Sequence, residues 1–317
     1  MASSRPLSIA APAKINLYLH VTGRRDDGFH LLDSLVVFAG INDTVSVTAA
    51  DELTYTVDGP FAPKLEGEPD NLIIHAAHAL AKLTGTSSGA HLKLTKRLPV
   101  ASGIGGGSSD AAAALKGLMQ LWNVKPDSGV LQALALELGA DVPVCLQGRA
   151  AFMGEIGEDL RPAPALPACS MVLVNPGVSL STPDVFRASA NLRDGFSAPG
   201  QFDYAPGDLG ELVSILESRT NDLTAAAQTL SPVIGEVLEA LEDCNGAKMA
   251  RMSGSGATCF GLFSDPGEAA AATLKLSHDH PRWWVRAGSL ESDINRLPWQ
   301  LPGSNKERIR GLAAKMI

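Results

Sequence analysis

Residues 99–114 read Pro-Val-Ala-Ser-Gly-Ile-Gly-Gly-Gly-Ser-Ser-Asp-Ala-Ala-Ala-Ala, a glycine-rich turn ahead of an alanine-rich run. Four glycines in the five positions from Gly103 to Gly107 let the backbone approach a ligand without Cβ clashes. Ser108, Ser109 and Asp110 then offer N-cap chemistry for a helix. A helix N-terminus presents free N–H groups and the positive end of its dipole, which together seat phosphate. The stretch predicts a bound polyphosphate, a nucleotide above all. The competing reading is a flexible turn that only caps a packed helix. It is not a Walker A loop, which ends in Gly-Lys-Ser/Thr, nor a dinucleotide fingerprint, whose last glycine is replaced by Ser108. Leu115, Leu118, Met119 and Trp122 form one apolar stripe at helical spacing.

Other chemistry-bearing residues are ambiguous when taken singly. Asp141 stands two residues before Pro143, the usual place of a helix N-cap. Lys14 reads as an ordinary lysine at a strand edge. Phe29-His30 reads as a core ring beside a solvated turn residue. Thr182-Pro183 is a common helix start, and Gly254-Ser255-Gly256 a tight turn. His75 and His78 have a metal-compatible spacing but no third ligand, so no metal site is predicted.

The elements that must carry these residues follow from periodicity. Residues 8–21 alternate as a strand, 22–30 form a polar turn, and 31–38 resume an apolar run. Residues 43–48 and 53–57 look like paired strands. Residues 71–83 read as a helix, and 91–96 as a strand feeding the glycine turn. A second helix over 130–138 is closed by Gly139. Residues 161–167, with three prolines, are the best linker. Beyond them come a strand at 171–174 and helices at 212–217, 233–241 and 269–276. His278-Asp279-His280 reads as a solvated loop and Trp283-Trp284 as part of a late strand. Paired strands with segregated helices point to an α+β fold.

The chain has 317 residues, enough for two domains, with 45% hydrophobic and 19% charged residues. A net charge of −8 disfavours nucleic acid as a partner, since backbone phosphates need a basic surface. Four cysteines with no C-x-x-C pair suggest neither a disulfide framework nor a zinc site. With no apolar signal segment and no run of about 18 apolar residues, a cytoplasmic protein with no membrane partner is expected.

Three segments in order are far more specific than any one: Pro12-Ala-Lys-Ile-Asn-Leu, the glycine turn, and Ser253-Gly-Ser-Gly-Ala-Thr-Cys-Phe. Together they resemble the motifs of the GHMP small-molecule kinase superfamily, over about residues 8 to 290. Gly28-Phe29-His30 and Gly139-Ala-Asp-Val-Pro-Val-Cys narrow the resemblance further. They point to the branch that transfers the ATP γ-phosphoryl group to the 2-hydroxyl of 4-diphosphocytidyl-2-C-methyl-D-erythritol, in the non-mevalonate route to isoprenoid precursors. The resemblance implies a ribosomal-protein-S5-like N-terminal domain (1–160), a ferredoxin-like C-terminal domain (161–290) and a tail (291–317). The active site would lie in the cleft between the domains.

On that resemblance Asp141 orients the acceptor hydroxyl and takes its proton, and Lys14 lies beside it. A neighbouring cation keeps the carboxylate ionised, which favours orientation over strong basicity. Lys14 would also offset charge developing on the phosphoryl oxygens. Pro99, Ser102, Gly103, Ile104, Gly105, Gly106, Gly107, Ser108 and Ser109 are expected to hold ATP. Asn16, on the cleft side of its strand, is expected to contact substrate. Phe29 and His30 would recognise cytosine, Thr182 and Phe186 would face the cleft, and Phe186 could close over the cytidine. Gly254, Ser255 and Gly256 would support the phosphate loop. Mg2+ is expected to arrive with ATP. A monomer or weak homodimer is expected. The alternatives are another GHMP kinase, of homoserine or mevalonate type, and a non-catalytic nucleotide-binding relative.

Overall fold

A computed structural model describes residues 6–65, 71–192 and 195–296. Its spine is β1 (Leu7–Arg24) lying antiparallel to β2 (His30–Ala50). The two runs separated in the sequence reading, 31–38 and 43–48, are one strand. The other strands are β3 (Leu53–Asp58), β4 (Gly89–Thr95), β5 (Ala151–Glu155), β6 (Asp159–Pro162), β7 (Ser170–Asn175), β8 (Ala247–Met252), β9 (Cys259–Phe263) and β10 (Trp284–Glu291). One ten-stranded sheet runs in the order β3-β4-β2-β10-β7-β9-β8, with β1 and β5 also on β2 and β6 on β5. The expected pairing of residues 43–48 with 53–57 is not made. Instead β4 inserts between them, antiparallel to β2 and parallel to β3. Residues 161 and 162 belong to β6, so the crossing to the second lobe starts later than the proline run suggested.

The helices are α1 (Leu72–Thr84), α2 (Gly106–Leu121), α3 (Ser128–Leu138), α4 (Val142–Gln147), α5 (Thr182–Leu192), α6 (Leu209–Glu217), α7 (Thr224–Leu230), α8 (Val233–Glu242) and α9 (Pro266–Asp279). Asn71 caps α1 through its side chain, and Gly139 ends α3. His278 and Asp279 complete the last turn of α9 rather than a loop, and Trp283 precedes β10.

Three apolar clusters hold these layers. One packs α1 to α4 on the N-terminal part of the sheet and another packs α5, α7, α8 and α9 on β7 and β9. The third joins the lobes: Ile15, Leu17, Val37 and Ile41 meet Met171, Leu173, Leu212, Leu216 and Phe260. β10 starts on β7 and finishes beside Phe38 and Ala39 of β2, so backbone pairing also crosses the junction. Residues 291–296 then return to the first lobe. Ala150 donates to the Ser292 carbonyl at 2.8 Å, and Ile294 is buried in the first core. The rest of the expected tail, 297–317, lies outside the described residues.

Candidate active site

The lobes enclose a cavity of about 1210 Å3. That exceeds the ~300–1,000 Å3 common for one small ligand and suits two held end to end. The glycine loop forms its floor. Gly105 occupies the N-cap position of α2 in the left-handed region (φ 58°), and no side chain caps the helix. Ser108, Ser109 and Asp110 therefore lie inside the first turns instead of capping, and the uncapped amides are left for a ligand. A Cβ on Gly107 would meet nothing within 4 Å, so the space above it is open. Pro99, Ser102, Gly103, Gly105, Gly106, Gly107 and Ser108 line the cavity. Ile104 and Ser109 are buried and are not part of its wall.

Lys14 and Asp141 meet beside this loop, with Nζ to Oδ2 at 3.0 Å. β1 delivers the lysine. At Lys14 its register with β2 shifts, and the Lys14 amide donates to the Ile104 carbonyl of the glycine loop at 2.9 Å. Asp141 holds the N-cap position of α4 but makes no capping bond. The Lys14 ammonium also donates to Asn16 Oδ1 at 2.9 Å. An ammonium has three donors, and those two bonds leave one for the cavity. Gly105 is needed here, because a Cβ would stand 3.0 Å from Lys14 Cε. Asn16 lies on the cavity wall yet is fully buried, with its amide nitrogen bonded to Ser34 Oγ at 2.7 Å.

The third glycine segment backs directly onto the loop. Ser253 Oγ accepts from the Asn16 amide and donates to the Gly103 carbonyl, each at 3.1 Å. Gly103 (φ 76°) and Gly254 (φ 55°) interlock so closely that a Cβ on either would stand 2.5 Å from a carbonyl of the other segment. Gly254 and Ser255 reach the cavity, and Ser255 Oγ bonds Thr182 Oγ1 at 2.8 Å. Gly256 (φ 85°) packs on Met252 and Leu180.

Phe29, His30 and Phe186 also line the cavity. The His30 and Phe186 rings stack at 4.9 Å, and Phe29 stays 59% exposed on the rim.

Sequence reasoning missed two supports. Asn221 is buried and donates to the carbonyls of Met252 and Gly254, each at 2.8 Å, shaping the third segment. Lys96 lies under Gly106, bonded to Asp43 at 2.7 Å and Asp110 at 2.6 Å. Burial pulls the Lys96 ammonium down, but the two carboxylates outweigh it and hold its pKa above the usual lysine range. Burial pushes Asp110 up to about 7. Two carboxylates share one cation here. Asp43 also takes the Arg97 and Leu98 amides, while Asp110 Oδ1 has no partner. No local pattern announces this cluster, since its members come from three separate elements.

Residues 71–149 match the N-terminal domain of the GHMP kinases and 204–281 their C-terminal domain. The two matches fall on the two lobes of the cleft, and the molecule is a GHMP kinase with that family's two-domain α+β fold. The chain is 53% identical over 285 residues to a 4-diphosphocytidyl-2-C-methyl-D-erythritol kinase of Paramagnetospirillum magneticum, covering 90% of this chain and 99% of that one. The crystal structure of a 4-(cytidine 5'-diphospho)-2C-methyl-D-erythritol kinase superposes with a TM-score of 0.71 at 34% identity, over 90% of this chain and 99% of that one. A homoserine kinase of Cytophaga hutchinsonii shares the fold, with a TM-score of 0.66 at 18% identity over 92% and 98% of the two chains. The chain belongs to the 4-diphosphocytidyl-2-C-methyl-D-erythritol kinase family.

Proposed function

We propose that this chain transfers the γ-phosphoryl group of ATP to the 2-hydroxyl of 4-diphosphocytidyl-2-C-methyl-D-erythritol, with Lys14 and Asp141 at the point of transfer. The observation that carries the reading is the 3.0 Å Lys14–Asp141 pair sharing one cavity with the uncapped α2 amides and the Phe29, His30 and Phe186 rings. The amides from Gly103 to Ser108 hold the ATP phosphates, and the open space over Gly107 fits them. Mg2+, carried with ATP, would lie beside the Ser108 hydroxyl and would offset the charge of the phosphates.

The cytosine stacks at the Phe29, His30 and Phe186 rings, where ring faces supply area and the imidazole edge supplies a hydrogen bond. Thr182 and Ser255 flank the middle of the acceptor. Asp141 accepts a hydrogen bond from the 2-hydroxyl, aims its oxygen at the phosphorus, and takes the proton as the new P–O bond forms. The remaining Lys14 donor meets the phosphoryl oxygens as the bond to ADP breaks. Catalysis of this kind rests on positioning and charge, and the site supplies both.

ADP release from Mg-ATP tests the reading with four acceptors: the cytidine compound, homoserine, mevalonate and galactose. Turnover with the cytidine compound alone is expected. Turnover with another acceptor instead would overturn the assignment of Phe29 and His30, and ATP binding with no turnover would favour a non-catalytic relative.

A further inference from the structure

An asparagine side chain has an acceptor at one end and donors at the other, in nearly the same shape. Lys14 needs the acceptor end of Asn16. The neighbour that decides which end it meets is Ser34, on β2. The Ser34 hydroxyl lies 2.6 Å from the Tyr18 carbonyl and 2.7 Å from Asn16 Nδ2. A carbonyl can only accept, so the single hydroxyl proton is committed to Tyr18. The Ser34 oxygen then has only lone pairs to offer, and Asn16 must turn its NH2 toward them. Oδ1 is thereby fixed on the Lys14 ammonium at 2.9 Å.

The backbone makes this arrangement stiff. The β1–β2 register shifts at Leu17, where Asn16 faces Val36 but Tyr18 faces Leu35. Such a bulge disrupts the ladder locally, and here the Tyr18 carbonyl takes the serine hydroxyl. Ser34 itself sits between two neighbouring strands, opposite Leu19 on β1 and Met153 on β5. It is fully buried and is not part of the cavity wall, so neither ligand can reach it. Its influence must pass through Asn16.

We propose that Ser34 is a positioning residue for phosphoryl transfer: by fixing the orientation of Asn16 it holds the Lys14 ammonium between Asp141 and the phosphate loop. This rests on the reading of Lys14 and Asp141 given above. Without the hydroxyl, Asn16 Nδ2 loses its partner and the amide is free to turn. Its NH2 would then oppose the ammonium, and Lys14 would keep only Asp141. Both ligands would still bind, because the α2 amides and the aromatic rings are untouched. The loss belongs to the chemical step.

The test compares Ser34→Ala, Ser34→Cys and Ser34→Thr with the parent enzyme, measuring kcat and both KM values with Mg-ATP and the cytidine acceptor. Ser34→Ala should lose about 10- to 100-fold in kcat, the scale of a small misplacement of a catalytic group, with each KM within about threefold. Ser34→Thr keeps the hydroxyl and should recover most of the rate. Ser34→Cys fills the space with a weak acceptor and should behave like alanine, which covers the case in which the alanine variant does not fold. A folded Ala or Cys variant with parental kcat, or a loss confined to KM, overturns the proposal. The 15N resonance of the Lys14 ammonium, assigned by its absence in Lys14→Arg, is a readout independent of turnover. It should be sharp in the parent and broadened in Ser34→Ala, and an unchanged resonance overturns the positioning role. If the parent enzyme does not turn over the cytidine acceptor, the functional reading fails and this resonance still decides the role of Ser34.

Discussion

Asp141 stands at a helix start, as its place before Pro143 suggests, yet its carboxylate makes no cap and turns to Lys14. The capping bond that the local pattern suggests is not made, because the short signature of a cap does not say what else the carboxylate can reach. Phe29 shows the converse. A ring that is 59% exposed contributes little to packing, and its place on the cavity rim leaves it open to a ligand. Phe29→Ala should leave the thermal midpoint unchanged and raise the KM of the cytidine acceptor about 3- to 10-fold, the worth of one stacking contact. An unchanged KM would remove the stacking role. Asp110 was legible as a residue at a helix start but not as a buried acid, because Lys96 and Asp43 reach it from elsewhere in the chain. Its pKa is raised to about 7 in the folded chain and is ordinary when unfolded. Its contribution to stability is therefore complete below the ordinary carboxylate pKa and is lost as pH rises through about 7. Asp110→Asn cannot ionise, so its melting midpoint should gain on the parent's between about pH 4 and pH 7. A constant difference across that range would contradict the buried acid.

The glycine loop and its helix were the most legible element, since four glycines followed by alanines leave few other structures. What stayed hidden was where the helix begins. Gly105 turns left-handed and starts α2 without a side-chain cap, which leaves the first amides uncapped. Gly105→Ala places a Cβ in a left-handed backbone and 3.0 Å from Lys14 Cε. It should cost about 1–2 kcal/mol of stability in urea unfolding from the backbone alone, and should lower kcat as Lys14 is displaced. Parental stability and kcat together would show that neither constraint operates. The pairing of β3 was misread because alternation reports a strand but not its neighbour. The insertion of β4 depends on a crossover through α1, which no local pattern encodes.

At the scale of the molecule, two domains were legible from length and from the order of three motifs. Their union was not. β10 carries the sheet across the junction, and the Ile15–Leu173–Phe260 core belongs to neither lobe alone. The lobes should therefore unfold together. Phe260→Ala, at a fully buried ring in that core, should cost about 3–5 kcal/mol and keep a single calorimetric transition, whereas two separated transitions would mean that the lobes fold independently. A shared core also holds in place the cavity walls that carry the glycine loop, the Lys14–Asp141 pair and the Phe29, His30 and Phe186 rings. The most direct measurement pairs calorimetric binding with single-turnover phosphoryl transfer in Asp141→Asn. The expected result is near-parental affinity for Mg-ATP and for the cytidine acceptor, with transfer to the 2-hydroxyl slowed by about 10²–10⁴-fold. Transfer at the parental rate would contradict the account.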